Sequence, residues 1–271
     1  AGFDTVPRDM AGFLKLCQAL KAKNLPPAGF ALGNATGDGN VWCHWLVWAH
    51  GGKMVDNKGT VVINSPETEA ALNYGKQLYE TFIPGTLSWL DPNNNKAFLD
   101  GQISVTNNGI SIYYAAKNSQ DPKIKAMVDD IGHANFPIGP IGKTTELNLF
   151  FPMMLFKYSK YPNAAKAYLA FMMEKEQYEP WQAASIGYVS HPLKAYENSP
   201  LWKSDPKNLP YSNSMKVMLP NGYSGPMGYA SAATMADFIM VNMVAEAISG
   251  SKTPKEAMDR AKARAERYYK L

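Results

Sequence analysis

The run Gly51-Gly52-Lys53-Met54-Val55-Asp56-Asn57-Lys58-Gly59-Thr60-Val61-Val62-Ile63-Asn64-Ser65-Pro66-Glu67 holds a helix stop, a short strand and a helix start in one stretch. The two glycines close the aromatic-rich segment 41–50, which reads as helical. Residues 60–63 read as a strand. Ser65 and Pro66 are a good N-cap and first helical residue, because a hydroxyl satisfies a free N–H and proline has none to lose. Beyond them Ala71, Tyr74, Leu78 and Phe82 share one helical face.

The alternation continues outward in both directions. Upstream, Phe13, Leu16, Cys17 and Leu20 follow helical spacing over residues 9–23, ended by Asn24 and Pro26-Pro27. Residues 30–32 form a short strand, followed by the loop Gly33-Asn34-Ala35-Thr36-Gly37-Asp38-Gly39-Asn40. Downstream, residues 95–99 predict a short helix stopped near Gly101. Residues 102–106 predict a strand ending at Asn107-Asn108-Gly109. Prolines and glycines between 137 and 143 mark a linker. The dense apolar run 149–156 predicts a buried strand. Pro162 opens a helix with Ala165, Tyr168, Leu169 and Met172 on one side. Residues 190–230 read as a long surface crossing. A helix follows over about 231–249, and Thr253-Pro254-Lys255-Glu256 is a capping box that starts a closing helix.

The chain has 271 residues, 46% hydrophobic and 18% charged, with net charge +4. That composition supports a folded core and argues against disorder. The basic cluster near the C-terminus is interleaved with Glu256, Asp259 and Glu266, which suits a solvated helix face better than a nucleic-acid surface. No apolar run approaches the ~20 residues that span a bilayer. Ala1-Gly2-Phe3-Asp4 has neither the basic nor the apolar region of a signal peptide. Cys17 and Cys43 lack metal or redox spacing. They read as buried free thiols, with a disulfide chemically allowed in an oxidising compartment.

Catalytic motifs are absent. There is no phosphate-binding glycine loop, dinucleotide fingerprint or nucleophile elbow. His44, His50, His133 and His191 are scattered and read as structural, so no metal or cofactor is expected. The segment 91–102 places oxygen-bearing residues at alternate positions, but Lys96 and Gln102 stand where a calcium loop needs Gly and Glu. What remains is a set of loop aromatics and amides. Trp42, Trp45 and Trp48 follow the glycine-rich loop that carries Asp38 and Asn40. Trp89 precedes Asp91 and the run Asn93-Asn94-Asn95, and Asn107 and Asn108 end a strand. Indole faces suit the C–H faces of a sugar, while amides and carboxylates suit its hydroxyls. Trp45 and Trp48 fit a helix core; Trp42, at the loop edge, fits either role.

The order of these features resembles the family 1 extracellular solute-binding proteins of bacterial ABC importers. Val6-Pro7-Arg8-Asp9-Met10-Ala11-Gly12-Phe13 with Leu20-Lys21 is similar to the family's early helix, without its tryptophan. The opening stretch, then Ala97-Phe98-Leu99-Asp100-Gly101-Gln102, Pro137-Ile138-Gly139-Pro140, Ser159-Lys160-Tyr161-Pro162 and Ser249–Met258 follow in family order. The resemblance implies an α/β fold of the periplasmic binding protein-like type II class, N-terminally truncated. It implies that residues 1–140 and 200–271 form the second lobe, and that 145–195 are a return segment of an incomplete first lobe. It implies no enzyme and no cofactor. A small-molecule solute, a carbohydrate in the first instance, would bind in an interlobe cleft. The partners would be the importer's membrane permease subunits, with no nucleic acid, and the location periplasmic.

At family contact positions stand Asn40 and Trp42, then Asn108, Gly109 and Ser111, and Asp237; Asp38 and Trp89 complete the expected ligand set. Ser111 and Asp237 stand where sugar binders of the family stack tryptophan. That implies a smaller or more polar ligand, such as a monosaccharide, a sugar alcohol or a small oligosaccharide. Peptides or another polar solute remain an alternative cargo. A carbohydrate-active enzyme using Asp38 with Asp91 or Asp237 as paired carboxylates is a further alternative.

Overall fold

The computed structural model describes residues 1–149, 152–188, 193–212 and 214–270. In chain order the helices are α1 (Met10–Ala22), α2 (Asp38–Ala49), α3 (Pro66–Tyr79), α4 (Asp91–Leu99), α5 (Ser111–Asn118) and α6 (Pro122–Ala126). Then come α7 (Pro162–Met172), α8 (Lys175–Ala184), the one-turn helices α9 (Leu201–Ser204), α10 (Leu209–Ser212) and α11 (Ser214–Val217), and finally α12 (Tyr229–Ala236), α13 (Ile239–Ile248) and α14 (Pro254–Ala265). Two short strands, β1 (Glu146–Leu147) and β2 (Met218–Leu219), pair in parallel. By contacts the chain divides into two compact units: Ala1–Asn108, Ala134–Asn148 and Val217–Leu271 in the first; Gly109–His133 and Leu149–Lys216 in the second.

The first unit is built on α13, which packs against α2, α3 and α14. Its core draws Phe13, Leu16 and Cys17 from α1, Ala71 and Leu78 from α3, and most of α2 and α13. Trp42, Trp45 and Trp48 are all buried, and each stabilises the core by roughly 2–3 kcal/mol through area alone. The two indoles nearest the α2 start also find acceptors. Trp42 Nε1 donates to Ala31 O at 2.7 Å, and Trp45 Nε1 to Pro137 O at 2.8 Å. Phe136 stacks on Trp45 at 4.8 Å between centroids. Cys17 and Cys43 are buried free thiols, and burial pushes Cys17 up to about 12.

Sequence signals explain most helix ends. Asp9 caps α1 through Gly12 N–H at 2.8 Å, and Asn24 ends that segment at φ 53. Ser65 caps α3 through Thr68 N–H at 3.2 Å. Thr253 and Glu256 cap α14 reciprocally, at 2.8 and 3.3 Å. The helix expected at 95–99 starts earlier, at Asp91, because Asn93 Oδ1 accepts from Leu90 N–H at 2.7 Å and Pro92 fits the first turn. In the opening stretch, Asp56 Oδ1 accepts from the N–H groups of Lys58 and Thr60, both at 2.9 Å. That turn brings Val61 opposite Val55 in an antiparallel bridge.

The other expected strands survive as extended segments rather than long ladders. Residues 27–33 lie between two neighbours: Gly29 N–H donates to Val105 O at 2.9 Å, and Ile83 N–H to Ala28 O at 2.9 Å. Ala28 forms parallel bridges to Phe82 and to Val105. This layer positions the loop that follows Leu32.

Three expectations are corrected. The helix expected over 231–249 is two helices, broken where Phe238 takes φ 52. Arg264 Nη2 holds that break, at 2.5 Å from Asp237 O and 3.1 Å from Asp237 Oδ1. The buried strand expected at 149–156 is not found among its described residues: 152–156 have no regular structure, and Met153, Met154 and Phe156 are exposed. Phe150 and Phe151 lie outside the described residues, as does His191. The stretch 190–230 is more than a surface crossing, because Tyr196, Trp202 and Asn208 are buried.

The second unit joins its two segments through a polar cluster. Tyr113 Oη donates to Asp205 Oδ2 at 2.5 Å, and Lys117 Nζ lies 3.2 Å from the same oxygen. Lys207 Nζ donates to Val128 O and Asp129 O, and His133 Nδ1 lies 2.8 Å from Lys207 O. These bonds explain why 109–133 groups with 149–216. Tyr178 and Tyr196 of the same unit stack with ring centroids 4.3 Å apart. By contrast α7 buries none of its side chains.

Candidate functional site

Three of the expected ligand residues, Asp38, Asn40 and Asn108, lie in or beside the turn at the start of α2. Gly33 N–H donates to Trp89 O at 2.8 Å, which turns the chain out of the extended layer. Gly37 is the residue before α2, and it offers no side chain to cap the helix. Asp91 does so from α4: Oδ2 accepts from Gly37 N–H at 3.1 Å and Oδ1 from Asp38 N–H at 2.9 Å. A carboxylate there satisfies free N–H groups and matches the positive end of the helix. Glycine at 37 leaves room for this cap, because an added Cβ would lie 2.8 Å from Asp91 Oδ2 and would push the carboxylate aside.

Asn94 clamps the turn from the next helical turn of α4. Its Nδ2 donates to Asp38 Oδ2 at 2.7 Å and to Asn107 O at 3.0 Å. Asn107 returns the contact, donating Nδ2 to Asp38 O at 3.0 Å. Asn108 Nδ2 donates to Asn95 Oδ1 alongside. Asn40 Nδ2 donates to Thr36 O at 3.2 Å, closing the loop on itself. The buried Oδ1 atoms of Asn40 and Asn107 have no donor.

The electrostatics follow from this geometry. Burial, reinforced by the nearby Asp91 charge and opposed by the Asn94 bond, raises Asp38 from 3.8 to about 7. His44, one turn further along α2, lies with Nδ1 2.7 Å from Asn40 O. Its burial lowers it from 6.5 to about 4, so it is neutral at physiological pH. The other described histidines, His50 and His133, also bring Nδ1 to a main-chain carbonyl.

The structure sorts the expected set. Asp38 and Asn108 share the turn and are part-exposed, and Trp89 is half-buried against Gly29. Asn40 shares the turn but is fully buried. Trp42 is fully buried, edge-on to Phe30 at 5.6 Å; it offers no face to a ligand and belongs to the core. Asp237 pairs with Arg264 at the helix break. Gly109 and Ser111 fall in the second unit, Gly109 exposed and Ser111 opening α5. Asp91, Asn94 and Asn107 belong to the turn although the expected ligand set omits them. Their signal was the amide run 93–95 followed by the pair 107–108. A separate surface cavity of about 210 Å³, lined by Lys58, Met227, Tyr229, Tyr268 and Tyr269 among others, contains none of the expected residues.

A family model described as bacterial extracellular solute-binding protein matches residues 2–210, and the chain belongs to that family. No curated protein matches. Solved structures share the fold. Maltose-bound MalE3 of T. maritima is 20% identical at TM-score 0.75, over 98% of this chain and 66% of that one. A sugar transporter from Arthrobacter chlorophenolicus A6 with bound laminaribiose is 18% identical at TM-score 0.77, over 97% and 65%. An ABC transporter solute binding protein from Agrobacterium radiobacter K84 in complex with ribitol is 19% identical at TM-score 0.72, over 97% and 65%. The fold is therefore the mixed α/β fold of solute-binding proteins, and the chain spans 65–66% of the length of these structures.

Proposed function

We propose that the protein is the extracytoplasmic solute-binding component of a bacterial ABC importer and that it carries a sugar, a polyol or a small oligosaccharide. The observation that carries this reading is the α2 turn, where the part-exposed Asp38 carboxyl and Asn108 amide share one hydrogen-bonded network. Carboxylate and amide oxygens accept from hydroxyls, and the half-buried Trp89 stands two residues before Asp91, which caps the same turn. Solved structures with the same fold hold maltose, laminaribiose and ribitol. A hydrolytic role draws less support. Asp91 caps α2 and Asp237 pairs with Arg264, so each partner of a catalytic pair already serves the fold. The importer's permease subunits would be the partners.

The reading extends to architecture. Residues 145–195 would be the return segment of a lobe whose main part lies in the third of the family length that this chain does not span. Exposed side chains over this segment support it: Met154 is 72% exposed, Tyr158 81% and Tyr168 61%.

The test is a thermal-shift and calorimetric screen with maltose, laminaribiose, ribitol and D-mannitol against amino acids and dipeptides. Binding raises the melting temperature by mass action. Stabilisation by amino acids or dipeptides alone would overturn the carbohydrate reading, and turnover of a glycoside would overturn the binding-protein reading.

A further inference from the structure

The α2 turn is short of hydrogen-bond donors. Asp38 Oδ2 has one, the Asn94 amide. The Asn40 and Asn107 amides direct their NH2 groups at main-chain oxygens, which leaves two buried Oδ1 atoms unmatched. Facing Asp38 from α4 is a second carboxylate, Asp91. The extended segment ending at Asn107 contributes Thr106 and amides, and α2 itself contributes His44, which burial holds neutral. Neither Asp38 nor Asp91 is in an ion pair among the described residues. Yet the Asp38 side of the turn is part-open to solvent.

Two things can supply the missing donor, a proton or a ligand hydroxyl. We propose that they compete: cargo binds the ionised Asp38 by donating a hydroxyl to its carboxylate, so that binding at this turn releases a proton to solvent. This rests on the solute-binding reading of the same turn and adds its regulation. A hydroxyl bonded to a carboxylate makes a charge-assisted bond, stronger than the neutral one a carboxylic acid makes. Donation to the charged form also favours that form. Burial and the Asp91 charge hold the free carboxyl near 7, so the linkage falls where small pH changes matter. Affinity then falls up to about tenfold per pH unit below that point. An anionic cargo is disfavoured at the same turn, because the Asp91 charge already acts on Asp38 there.

Calorimetric titration with maltose and with D-mannitol, from pH 5.5 to 8.5 in buffers of different ionisation enthalpy, reads the released proton. The expected result is release approaching one proton near pH 6, with affinity rising towards pH 8. Asp38→Asn should bind without pH dependence over this range and release none. Asn94→Ala removes a bond that lowers Asp38, so it should move the midpoint upward; it serves if Asp38→Asn does not fold. Binding by the native protein with no proton released overturns the proposal. If neither sugar binds at any pH, the solute reading fails for these sugars, and the proton site is judged alone by NMR. A ligand-free titration of the Gly37 and Asp38 amides with a midpoint near neutrality, abolished in Asp38→Asn, upholds it. A flat titration overturns it.

Discussion

Asn94 Nδ2 lies 2.7 Å from Asp38 Oδ2, joining the first turns of two helices through residues 56 apart in the chain. The same amide reaches Asn107 O, so one side chain ties α2, α4 and the extended segment before Asn108. Replacing it with alanine strands a buried acceptor and a half-buried carboxyl. Asn94→Ala is expected to cost about 1–3 kcal/mol, read as a lower urea midpoint with unchanged slope. A loss below about 0.3 kcal/mol would show that the clamp is not built as described.

Asp38 and His44 act in opposite directions on stability as pH changes. Asp38 is raised from 3.8 to about 7, so between those values the folded protein holds a proton the unfolded chain has lost. Its contribution is present at low pH and lost as pH rises through that window. His44 is lowered from 6.5 to about 4, so its contribution is present at neutral pH and lost as pH falls. From pH 4 to 6.5 the two slopes cancel. Asp38→Asn removes one of them, and its stability should rise with pH across this window by ~1 kcal/mol per unit relative to the native protein. Urea unfolding at fixed pH values measures it, and parallel curves for the two proteins would contradict it.

Trp42 and Trp89 should separate stability from binding. Trp42 fills the core between Phe30 and Phe82, and its removal to alanine is expected to cost ~3–5 kcal/mol. Trp89→Ala should lower the melting temperature less than Trp42→Ala, because only part of its indole is buried, and weaken sugar binding by about tenfold, the worth of one aromatic face at ~1.4 kcal/mol. Equal effects of both changes on melting would count against Trp89 as a ligand contact.

The exposed apolar side chains around α7 predict dye binding. The chain should raise the fluorescence of an apolar probe, and Tyr168→Ser with Phe171→Ser should reduce that signal. A version extended to the full family length should suppress it and slow amide exchange in α7. Unchanged exchange in the longer protein would remove the support for an absent lobe.

Much of this fold was legible because helix ends are written locally. Ser65-Pro66, Thr253 with Glu256, and Asp9 each carry their own cap within three residues. Failures arose where a distant residue decides. Nothing near 237 announces that Arg264 will hold a break between α12 and α13. The α2 start has no local cap, since its cap is Asp91. The run 149–156 has a buried strand's composition, but composition does not reveal whether a covering partner is present. For the site, the polar turn was visible as an excess of Asn and Asp in two loops. That Trp42 points inward was not, because a helix begun at Asp38 directs that position towards Phe30 and Phe82.

The contact between Arg264 and Asp237 gives α14 a role beyond closing the chain. It is a splint: a largely buried guanidinium on the last helix braces the elbow at Phe238, and the reciprocal cap at Thr253 sets where that splint begins. The break before α13, the central beam of the first unit, is thus held by a residue that follows it in sequence. A chain ended near residue 253 would keep every core side chain of α2 and α3, yet its elbow would be free to straighten.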